Sequence, residues 1–323
     1  MIAAAALAMM LGATTTTDQT IDVKKGVRLE VHTFTGDVNV KVWNRDAVRV
    51  EAEHSDRQTI EIRPGEQSLV VRGQSRIGPM SSVDYTITVP AWMAVNIDGM
   101  GTDVTLDGVG GDVNVETTRG DIHVRGGSGF ISVKSVQGSI TIERAKGRIE
   151  AQTVNDGVRV SDTSGDLTVG TTNGSIVLER IDTGNLDAST VNGMIAFDGS
   201  IRDKGSYRLT THNGAVSLAM PERVNATLRV RTYGGSFRST FPLKLEDQGR
   251  QNRFTLTLGD GSARIELESF NGSISLRRPG EPRPTSDRDR GPRGRAPNPP
   301  PPPTPAPLPA PPAPPAPNPG NQD

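Results

Sequence analysis

Residues 165–178 read Gly-Asp-Leu-Thr-Val-Gly-Thr-Thr-Asn-Gly-Ser-Ile-Val-Leu. The stretch holds two short units, and in each of them apolar side chains occupy alternate positions after a glycine. This alternation predicts β-strands, because successive side chains of a strand point to opposite faces. The 3.6-residue period of an amphipathic helix does not occur here. The stretch therefore predicts two strands that are joined by tight turns.

The same pair of units recurs along the middle of the chain. Most successive glycines are nine residues apart, which leaves room for one short strand and one turn. Every second turn carries the pattern Thr/Ser-x-Asn-Gly or a looser version of it, at residues 135–138, 153–157, 171–174, 190–193, 211–214, 232–235 and 269–272. The glycines of these turns between positions 138 and 235 are 17 to 21 residues apart. The full repeat therefore contains two strands.

This repeat predicts an all-β fold, a parallel β-solenoid in which each coil of about 19 residues places two strands on two opposed sheets. Parallel crossovers are nearly always right-handed, so we expect that hand. Stacked aliphatic side chains would fill the core of a chain that has few aromatic residues. We expect Asn-Gly at the corners because both residues tolerate positive φ. The inward side chains are expected to include Ile122, Val124, Ile140, Ile142, Ile176 and Leu178.

Four parts of the chain can be distinguished. Residues 1–20 read as a signal-like apolar segment and a Thr linker, and residues 21–98 as an N-terminal cap of antiparallel β-strands that covers the open end of the solenoid. The solenoid itself is expected over residues 99–278. Residues 279–323 are predicted to be a disordered tail rich in Arg and Pro, since 19 of the 24 prolines lie there.

Composition restricts the location and the partners. Residues 1–13 are apolar but shorter than the roughly 20 residues that span a bilayer, and they match the apolar region of a signal peptide that lacks its basic start. The chain has no Cys, which excludes disulfides, Cys-containing zinc sites and a lipidated Cys. The net charge of −1 gives no field that would attract nucleic acid. We expect export to the periplasm, the cell surface or the medium, without a membrane span in the mature chain.

Three features of the chain occur in a fixed order. They are Val83-Asp-Tyr-Thr-Ile-Thr-Val-Pro90 ahead of the repeats, the serial Thr-x-Asn-Gly-x-Ile-x-Leu units, and Gly261-Ser-Ala-Arg-Ile-Glu-Leu267 followed by Asn271-Gly-Ser-Ile-Ser-Leu276. Together they resemble the bacterial putative-adhesin family of β-strand-repeat domains of unknown function. The resemblance covers roughly residues 21–278. It implies an exported or envelope-associated β-helical domain, and it brings no catalytic residues.

Calcium and carboxylate chemistry are the main alternatives to a purely structural repeat. Calcium-binding β-rolls also use nine-residue units, but Gly126-Gly127-Ser128-Gly129-Phe130-Ile131 has Ile where Asp is needed. From coil to coil, one turn position is expected to hold Asp112, Phe130, Arg148, Asp166 and Asn185, and the other Asp121, Ser139, Val158, Ser175 and Met194. Neither series is a continuous column of carboxylates, so no carboxylate ladder is expected. Polysaccharide-cleaving β-helices need clustered carboxylates in a groove. The carboxylates that could converge near the cap are Asp98, Asp103, Asp107 and Asp112.

Histidines and aromatic residues give weaker signals. His32, His54, His123 and His212 share no metal-ligand spacing, and His212 fits an exposed turn that tolerates many residues. The rings of Trp43, Trp92 and Tyr233 are expected to be buried or, alternatively, to stack on sugar rings of a ligand. Two outward rows are candidates for contact, namely the Thr/Asn corners and polar strand positions such as Thr141, Arg159 and Thr168.

The predicted tail joins an Arg-rich segment at 277–295 to a Pro/Ala run at 297–319. The Pro/Ala run favours polyproline II, and the Arg-rich segment predicts contact with anionic envelope polymer or lipid. We expect a non-enzymatic, exported β-solenoid that acts as an adhesive or interaction surface of the bacterial envelope for a polymer or protein of unknown identity. No cofactor, metal or catalytic residue is expected. An envelope-stress sensor or scaffold and a carbohydrate-active β-helix enzyme remain open as alternatives.

Overall fold

Each coil of the chain contributes one strand to each of two stacks of parallel strands. The computed structural model describes residues 14–221, 223–240 and 253–281. The central coils are built from β7 (Val95–Asp107), β8 (Val113–Arg119), β9 (Ile122–Arg125), β10 (Ile131–Gln137), β11 (Ile140–Glu143), β12 (Ile149–Gln152), β13 (Val158–Ser161), β14 (Leu167–Thr171), β15 (Ile176–Asn192), β16 (Ile195–Asn213) and β17 (Val216–Ala219).

Strand register follows the sequence repeat. β10 pairs in parallel with β8 one coil earlier and with β12 one coil later, and β11 does the same with β9 and β13. β15 and β16 each continue through a corner, so the first part of each strand belongs to one stack and the last part to the other. The predicted parallel β-solenoid with two strands per coil is therefore confirmed. Its right-handed winding stays a prediction.

Aliphatic side chains from the two stacks meet in one long core. All six inward residues expected from the sequence are at most 2% exposed. Each such side chain contributes roughly 1.5–3 kcal/mol through burial. The coil cross-section admits few rings, and Tyr85, Phe197 and Tyr207 are the fully buried aromatic side chains of the described residues.

The Thr and the Gly of the Thr-x-Asn-Gly corner are both in contact with the neighbouring coil. The hydroxyl of Thr211 donates to the carbonyl oxygen of Gly193 at 3.0 Å, and Thr190 makes the same bond to Gly174. A Cβ added to Gly214 would overlap the Gly193 carbonyl. Glycine is therefore required because two coils approach closely. The expected positive φ is wrong for the complete motifs, since neither their Asn nor their Gly adopts it.

Three of the four described non-glycine residues with positive φ lie in one column at another corner. Gly108 and Gly126 begin this column, and Arg144, Asp162 and Arg180 continue it with φ of 53–55°. Arg180 donates from Nε and Nη2 to the two carboxylate oxygens of Asp162, both at 2.6 Å. This ion pair lowers the pKa of Asp162 and holds two strained residues of successive coils together.

The N-terminal end mixes parallel and antiparallel pairing. Its strands are β1 (Thr14–Asp22), β2 (Arg28–Trp43), β3 (Ala47–Ser55), β4 (Gln58–Pro64), β5 (Ser68–Ser75) and β6 (Asp84–Pro90). The expected antiparallel cap is found in the β1–β3, β3–β6 and β4–β5 pairs. β2, however, pairs in parallel with β5 and β6 on one side and with β7 on the other, so residues 28–43 form a solenoid coil. Part of the expected Thr linker forms β1.

The C-terminal end is not built in chain order. Its strands are β18 (Ala226–Thr232), β19 (Phe237–Ser239), β20 (Arg253–Leu258), β21 (Ala263–Ser269) and β22 (Ile274–Arg277). β21 lies between β16 and β18, and β22 lies between β17 and β19, in parallel throughout. β20 then covers β18 in antiparallel pairing. The last coil of the sequence is thus inserted between two earlier ones.

Arg277 belongs to this inserted coil and not to the predicted Arg-rich segment. Its side chain is 4% exposed. Nη2 lies 3.3 Å from Asp198 Oδ2, Nε donates to Ser217 Oγ at 3.2 Å, and Nη1 donates to the Glu281 carbonyl oxygen at 2.9 Å. One side chain therefore ties three coils together. The signal-like residues 1–13 and the tail from residue 282 onward lie outside the described residues.

Candidate functional site: an apolar row along one corner

One corner of the solenoid carries the second residue of every Thr-x-Asn-Gly turn. Strand register and backbone hydrogen bonds place these residues one above the other, coil by coil. We call this line of side chains the corner row. In spatial order it consists of Phe34, Met100, Thr118, Val136, Val154, Thr172, Val191, His212, Phe270 and Tyr233.

Backbone bonds fix the spacing of the corner row. The carbonyl oxygen of Val154 accepts the N–H of Asn173 at 2.8 Å, and the carbonyl oxygen of His212 accepts the N–H of Asn271 at 2.8 Å. Neighbouring strands of a sheet are about 4.8 Å apart, so ten positions extend over about 43 Å. The row crosses the inserted coil without a break, because Phe270 lies between His212 and Tyr233.

Apolar exposure is concentrated on this line. Among the described residues nine large hydrophobic side chains are exposed, and seven of them belong to the corner row, where they are 38–46% exposed. The other two are Ile77 and Phe130. Single exposed apolar residues are ordinary on a protein surface, but an aligned set of them marks a contact surface.

The polar groups beside the row form hydrogen bonds with groups of the neighbouring coils. A ladder of amides is formed by Asn155, Asn173, Asn192, Asn213 and Asn271, in which Nδ2 of every member after Asn155 donates to the Oδ1 of the Asn before it, at 2.9–3.1 Å. The turn Thr residues are buried and bonded to the neighbouring coil. The Thr/Asn corners expected as a polar contact row therefore stabilise the fold, and the exposed atoms of the corner are apolar.

Aromatic rings stack along the C-terminal part of the row. The rings of His212 and Phe270 are 4.7 Å apart between centroids and inclined by only 8°, and the rings of Phe270 and Tyr233 are 5.0 Å apart. On the other side of Tyr233 the guanidinium Cζ of Arg253 lies 4.1 Å from the ring centroid. The ring faces are thus covered by neighbours, and the rings present their edges to solvent.

A shallow groove runs beside the corner row, over the outward ends of one strand stack. Its first part, of about 730 Å³, is lined by Asp98, Gly99, Glu116, Thr117, Thr118, Lys134, Ser135, Val136, Gln152, Thr153, Val154, Gly170, Thr171, Thr172 and Ser189. Its second part, of about 320 Å³, is lined by Thr171, Ser189, Thr190, Val191, Thr210, Thr211, His212, Tyr233, Glu268 and Phe270. Shared residues make the two parts continuous. The groove has an apolar lip and a polar floor.

The four carboxylates near the N-terminal end have separate roles. Asp98 lies on the groove floor, with Oδ2 3.3 Å from His32 Nδ1. Asp103 Oδ1 accepts the N–H of Asp121 at 2.8 Å, and Asp112 Oδ1 accepts the N–H of Phe130 at 2.9 Å. Asp107 lies in register with Arg125. The carboxylates therefore connect successive coils at different turns.

The turn columns weighed for calcium are used in the same way. Asp121 Oδ1 accepts the N–H of Ser139 at 2.7 Å, one coil later. This column continues through Gly157 and not through Val158, because Val158 is in register with Ile140 and is buried. Within residues 14–221, 223–240 and 253–281, no group of three or more His, Cys, Asp or Glu residues could hold a metal ion.

The remaining candidate residues are spread over the molecule. Trp43 and Trp92 are half-buried, and their indole N–H groups donate to the Ala47 carbonyl oxygen at 2.7 Å and to Asp46 Oδ1 at 3.0 Å. His54 is buried, with Nε2 2.9 Å from Thr17 Oγ1. Like Trp43 and Trp92, His54 lies outside the corner row.

The outward strand residues expected to form a contact row lie on different sheets. Thr141 and Arg159 are adjacent on one strand stack, whereas Thr168 belongs to the opposite stack. Thr141, Arg159 and Thr168 therefore do not form one surface. His123 also points outward from the stack that holds Thr141, with which it is in register.

Sequence reasoning located this corner but not its exposed apolar side chains. The signal is the variable second position of the turn, which reads Val, Val, Thr, Val, His, Tyr and Phe from 136 to 270. His212 was expected to reflect tolerance of an exposed site, whereas the structure stacks it on Phe270. That contact joins residues 58 positions apart and follows from the insertion of the last coil, which the repeat did not predict.

Comparisons with known proteins give limited similarity. No curated protein matches the chain. A cell adhesion protein of Clostridium sporogenes, described as putative, is 9% identical, covers 82% of this chain and 100% of its own, and has a TM-score of 0.24. Structures of putative adhesins from Bacteroides fragilis and Parabacteroides distasonis are 12% and 10% identical, with TM-scores of 0.34 and 0.44. They cover 81% and 82% of this chain, and 97% and 98% of their own.

A family model gives the clearer result. It is described as Toastrack DUF4097 and matches residues 167–277, from the strand β14 to the end of β22. The matched residues contain four complete Thr-x-Asn-Gly corners and the inserted last coil. The predicted resemblance to β-strand-repeat domains of unknown function is thereby confirmed, since residues 167–277 match the model of the Toastrack DUF4097 family.

Proposed function

We propose that the chain is an exported, non-enzymatic β-solenoid that serves as an adhesive or interaction surface of the bacterial cell envelope, and that the corner row is its contact surface. The observation that carries the proposal is the placement of seven of the nine exposed large apolar side chains of the described residues on this one line. Burial of apolar side chains is the main favourable term in most protein associations.

The geometry of the corner row suits an elongated partner. A line of about 43 Å with the same turn on every coil offers equivalent contacts along its length. The groove beside it supplies hydroxyl, amide and carboxylate groups for orientation. Many weak and equivalent contacts favour a polymer or an extended protein segment over a small molecule.

The absence of enzymatic activity is supported by how the polar groups are used. Asp103, Asp112 and Asp121 accept backbone N–H groups, and the amides of the Asn ladder bond to each other. Groups held in this way stabilise the coils and do not converge on a substrate. Export is supported by the signal-like segment of residues 1–13. The part of the chain that the structure describes contains no helix that is long and apolar enough to span a membrane.

An array of glycans, extracellular-matrix proteins and envelope polymers tests the proposal with the labelled full chain. We expect binding to at least one polymer, and its loss in the variant V154T/V191T/F270T. Thr already occupies the row at positions 118 and 172, so these substitutions are compatible with the corner. The control variant I77T/F130T removes the two exposed apolar residues outside the row. Equal binding by both variants, or recovery of the native protein only from cytoplasm, would contradict the proposal.

A further inference from the structure

We propose that the partner of the corner row is a proline-rich protein segment in the polyproline II conformation, which lies along the row and parallel to the solenoid axis. The inference rests on the proposed function, because it names the class of partner for the same surface. Grooves lined by aromatic and apolar side chains bind such segments in several unrelated domains.

Spacing distinguishes polyproline II from an α-helix. Polyproline II has three residues per turn and a rise of 3.1 Å, so one turn advances about 9.3 Å, whereas two coils of the solenoid advance about 9.6 Å. The mismatch is about 0.3 Å for every two coils. An α-helix with a pitch of about 5.4 Å would deviate by about 1.2 Å over the same distance. Every third residue of the polyproline segment can thus contact the row on alternate coils, as at Val154, Val191 and Phe270.

Backbone chemistry excludes the addition of an ordinary β-strand along the row. The carbonyl oxygens of Val154, His212 and Phe270 already accept N–H groups from the next coil. A peptide that lies along the row is perpendicular to the strands, and these carbonyl oxygens are not free to pair with it. Polyproline II needs no such partners, because its backbone groups remain solvated.

Ring geometry disfavours sugar stacking on the same surface. A sugar ring packs on an aromatic face, but one face of Tyr233 is covered by Phe270 and the other by Arg253. The exposed ring edges carry partial positive charge. Such edges suit the outward carbonyl oxygens and the apolar rings of a proline-rich chain.

Charge gives the partner a further property. Asp98 and Glu116 lie in the first part of the groove, against the single ammonium of Lys134 among its lining residues, which is 2.9 Å from Glu116 Oε1. Two carboxylates and one ammonium leave this part of the groove net negative, whereas Glu268 in the second part is paired with Arg231 at 4.0 Å. The proline-rich segment is therefore expected to carry at least one Arg or Lys beside its prolines.

Fluorescence anisotropy with a defined peptide tests the inference on the full chain. The probe is a labelled peptide of Pro-Pro-Ala repeats with an Arg at each end, about 14 residues long to match the 43 Å row. The control peptide has Gly-Ser-Ala repeats, with the same length and charge. We expect saturable binding of the proline-rich peptide, a Kd at least tenfold higher for V154T/V191T/F270T, and a Kd within twofold of the native value for I77T/F130T.

The outcomes separate this inference from the proposed function. Equal binding of both peptides, or a Kd that the row variant leaves unchanged, overturns the polyproline assignment. If the array still shows a glycan that depends on the row, the interaction surface stands while its partner is different. Sedimentation of the full chain tests whether a second copy of the chain binds the row. A dimer that dissociates in V154T/V191T/F270T would assign the row to that second copy and would also overturn the inference.

Discussion

At the N-terminal end of the solenoid, the coil of residues 28–43 lies between the later segments 68–90 and 95–107. At the C-terminal end, the coil of residues 263–277 lies between the earlier segments 206–219 and 226–239. Both ends are therefore closed by a coil that is inserted out of chain order. An end coil of this kind cannot unwind from its terminus one repeat at a time, because it is held on both sides.

The two inserted coils are secured by different interactions. Three antiparallel strands, β1, β3 and β4, cover the N-terminal end with backbone hydrogen bonds. Among the described residues, the C-terminal end has one antiparallel strand, β20, and depends in addition on the buried guanidinium of Arg277. Backbone pairing tolerates side-chain changes, whereas a buried ion pair does not. Single substitutions should therefore loosen the C-terminal end more than the N-terminal end.

The largest effect is expected from Arg277→Ala. Removal of the guanidinium leaves Asp198 and Ser217 without their partner between three coils, and the expected loss in the free energy of unfolding is about 2–4 kcal/mol. Arg28 in the other inserted coil is the matched control, because its side chain is 57% exposed and its one ion pair among the described residues is with Glu30. Arg28→Ala should cost less than about 1 kcal/mol.

Urea unfolding measures both free energies, and hydrogen exchange shows where protection is lost. We expect faster exchange in residues 226–239 and 263–277 for Arg277→Ala, and no local change for Arg28→Ala. Equal losses of stability in the two variants would show that the ends do not differ in this way.

Two buried tyrosines give an intermediate effect. Tyr207 is in register with Ile265 of the C-terminal inserted coil; its hydroxyl donates to the Thr183 carbonyl oxygen at 2.6 Å and accepts the N–H of Arg202 at 2.7 Å. Tyr85 is in register with Val38 of the N-terminal inserted coil, and its hydroxyl has no partner among the described residues. Burial raises the pKa of both phenols.

Tyr207→Phe removes the partner of the buried Thr183 carbonyl oxygen and of the Arg202 N–H, and it should cost about 1–3 kcal/mol. Tyr85→Phe removes a hydroxyl that makes no bond, so the free energy of unfolding should stay the same or rise slightly. Thermal and urea unfolding of the two variants compare the positions directly. A loss of more than about 1 kcal/mol for Tyr85→Phe would reveal a partner of its hydroxyl and remove this difference between the ends.

Much of this architecture was accessible from the sequence, for a physical reason. Inward residues such as Ile140 and Leu178 follow from period-two alternation, which depends only on neighbouring residues. The insertion of residues 263–277 depends on which coil pairs with which, and the turn motif is the same at 211–214 and 269–272. The candidate site was missed for the same reason, since the row continues from His212 to Phe270 only in the folded chain.

The smallest effects concern pH and have opposite signs in the two halves. Toward the C-terminal end, Arg202 and Ser200 lower the pKa of Asp182 to about 2, below its ordinary 3.8. In the N-terminal inserted coil, burial and the neighbouring Asp84 and Asp103 raise the pKa of Asp37 above 3.8. A lowered pKa gives stability that is present above pH 3.8 and is lost as the pH falls through about 2. A raised pKa gives stability that is present at low pH and is lost as the pH rises through the folded value.

Asp182→Asn should therefore reduce the free energy of unfolding at neutral pH and lose this effect toward pH 2, whereas Asp37→Asn should increase stability at neutral pH and lose its advantage in acid. Both carboxylates are largely solvated, so each change should be small compared with that of Arg277→Ala. Urea unfolding from about pH 2 to 7 measures the difference between each variant and the native chain. Curves of the same sign for the two variants would mean that the acidic neighbours of Asp37 do not repel it in the folded state.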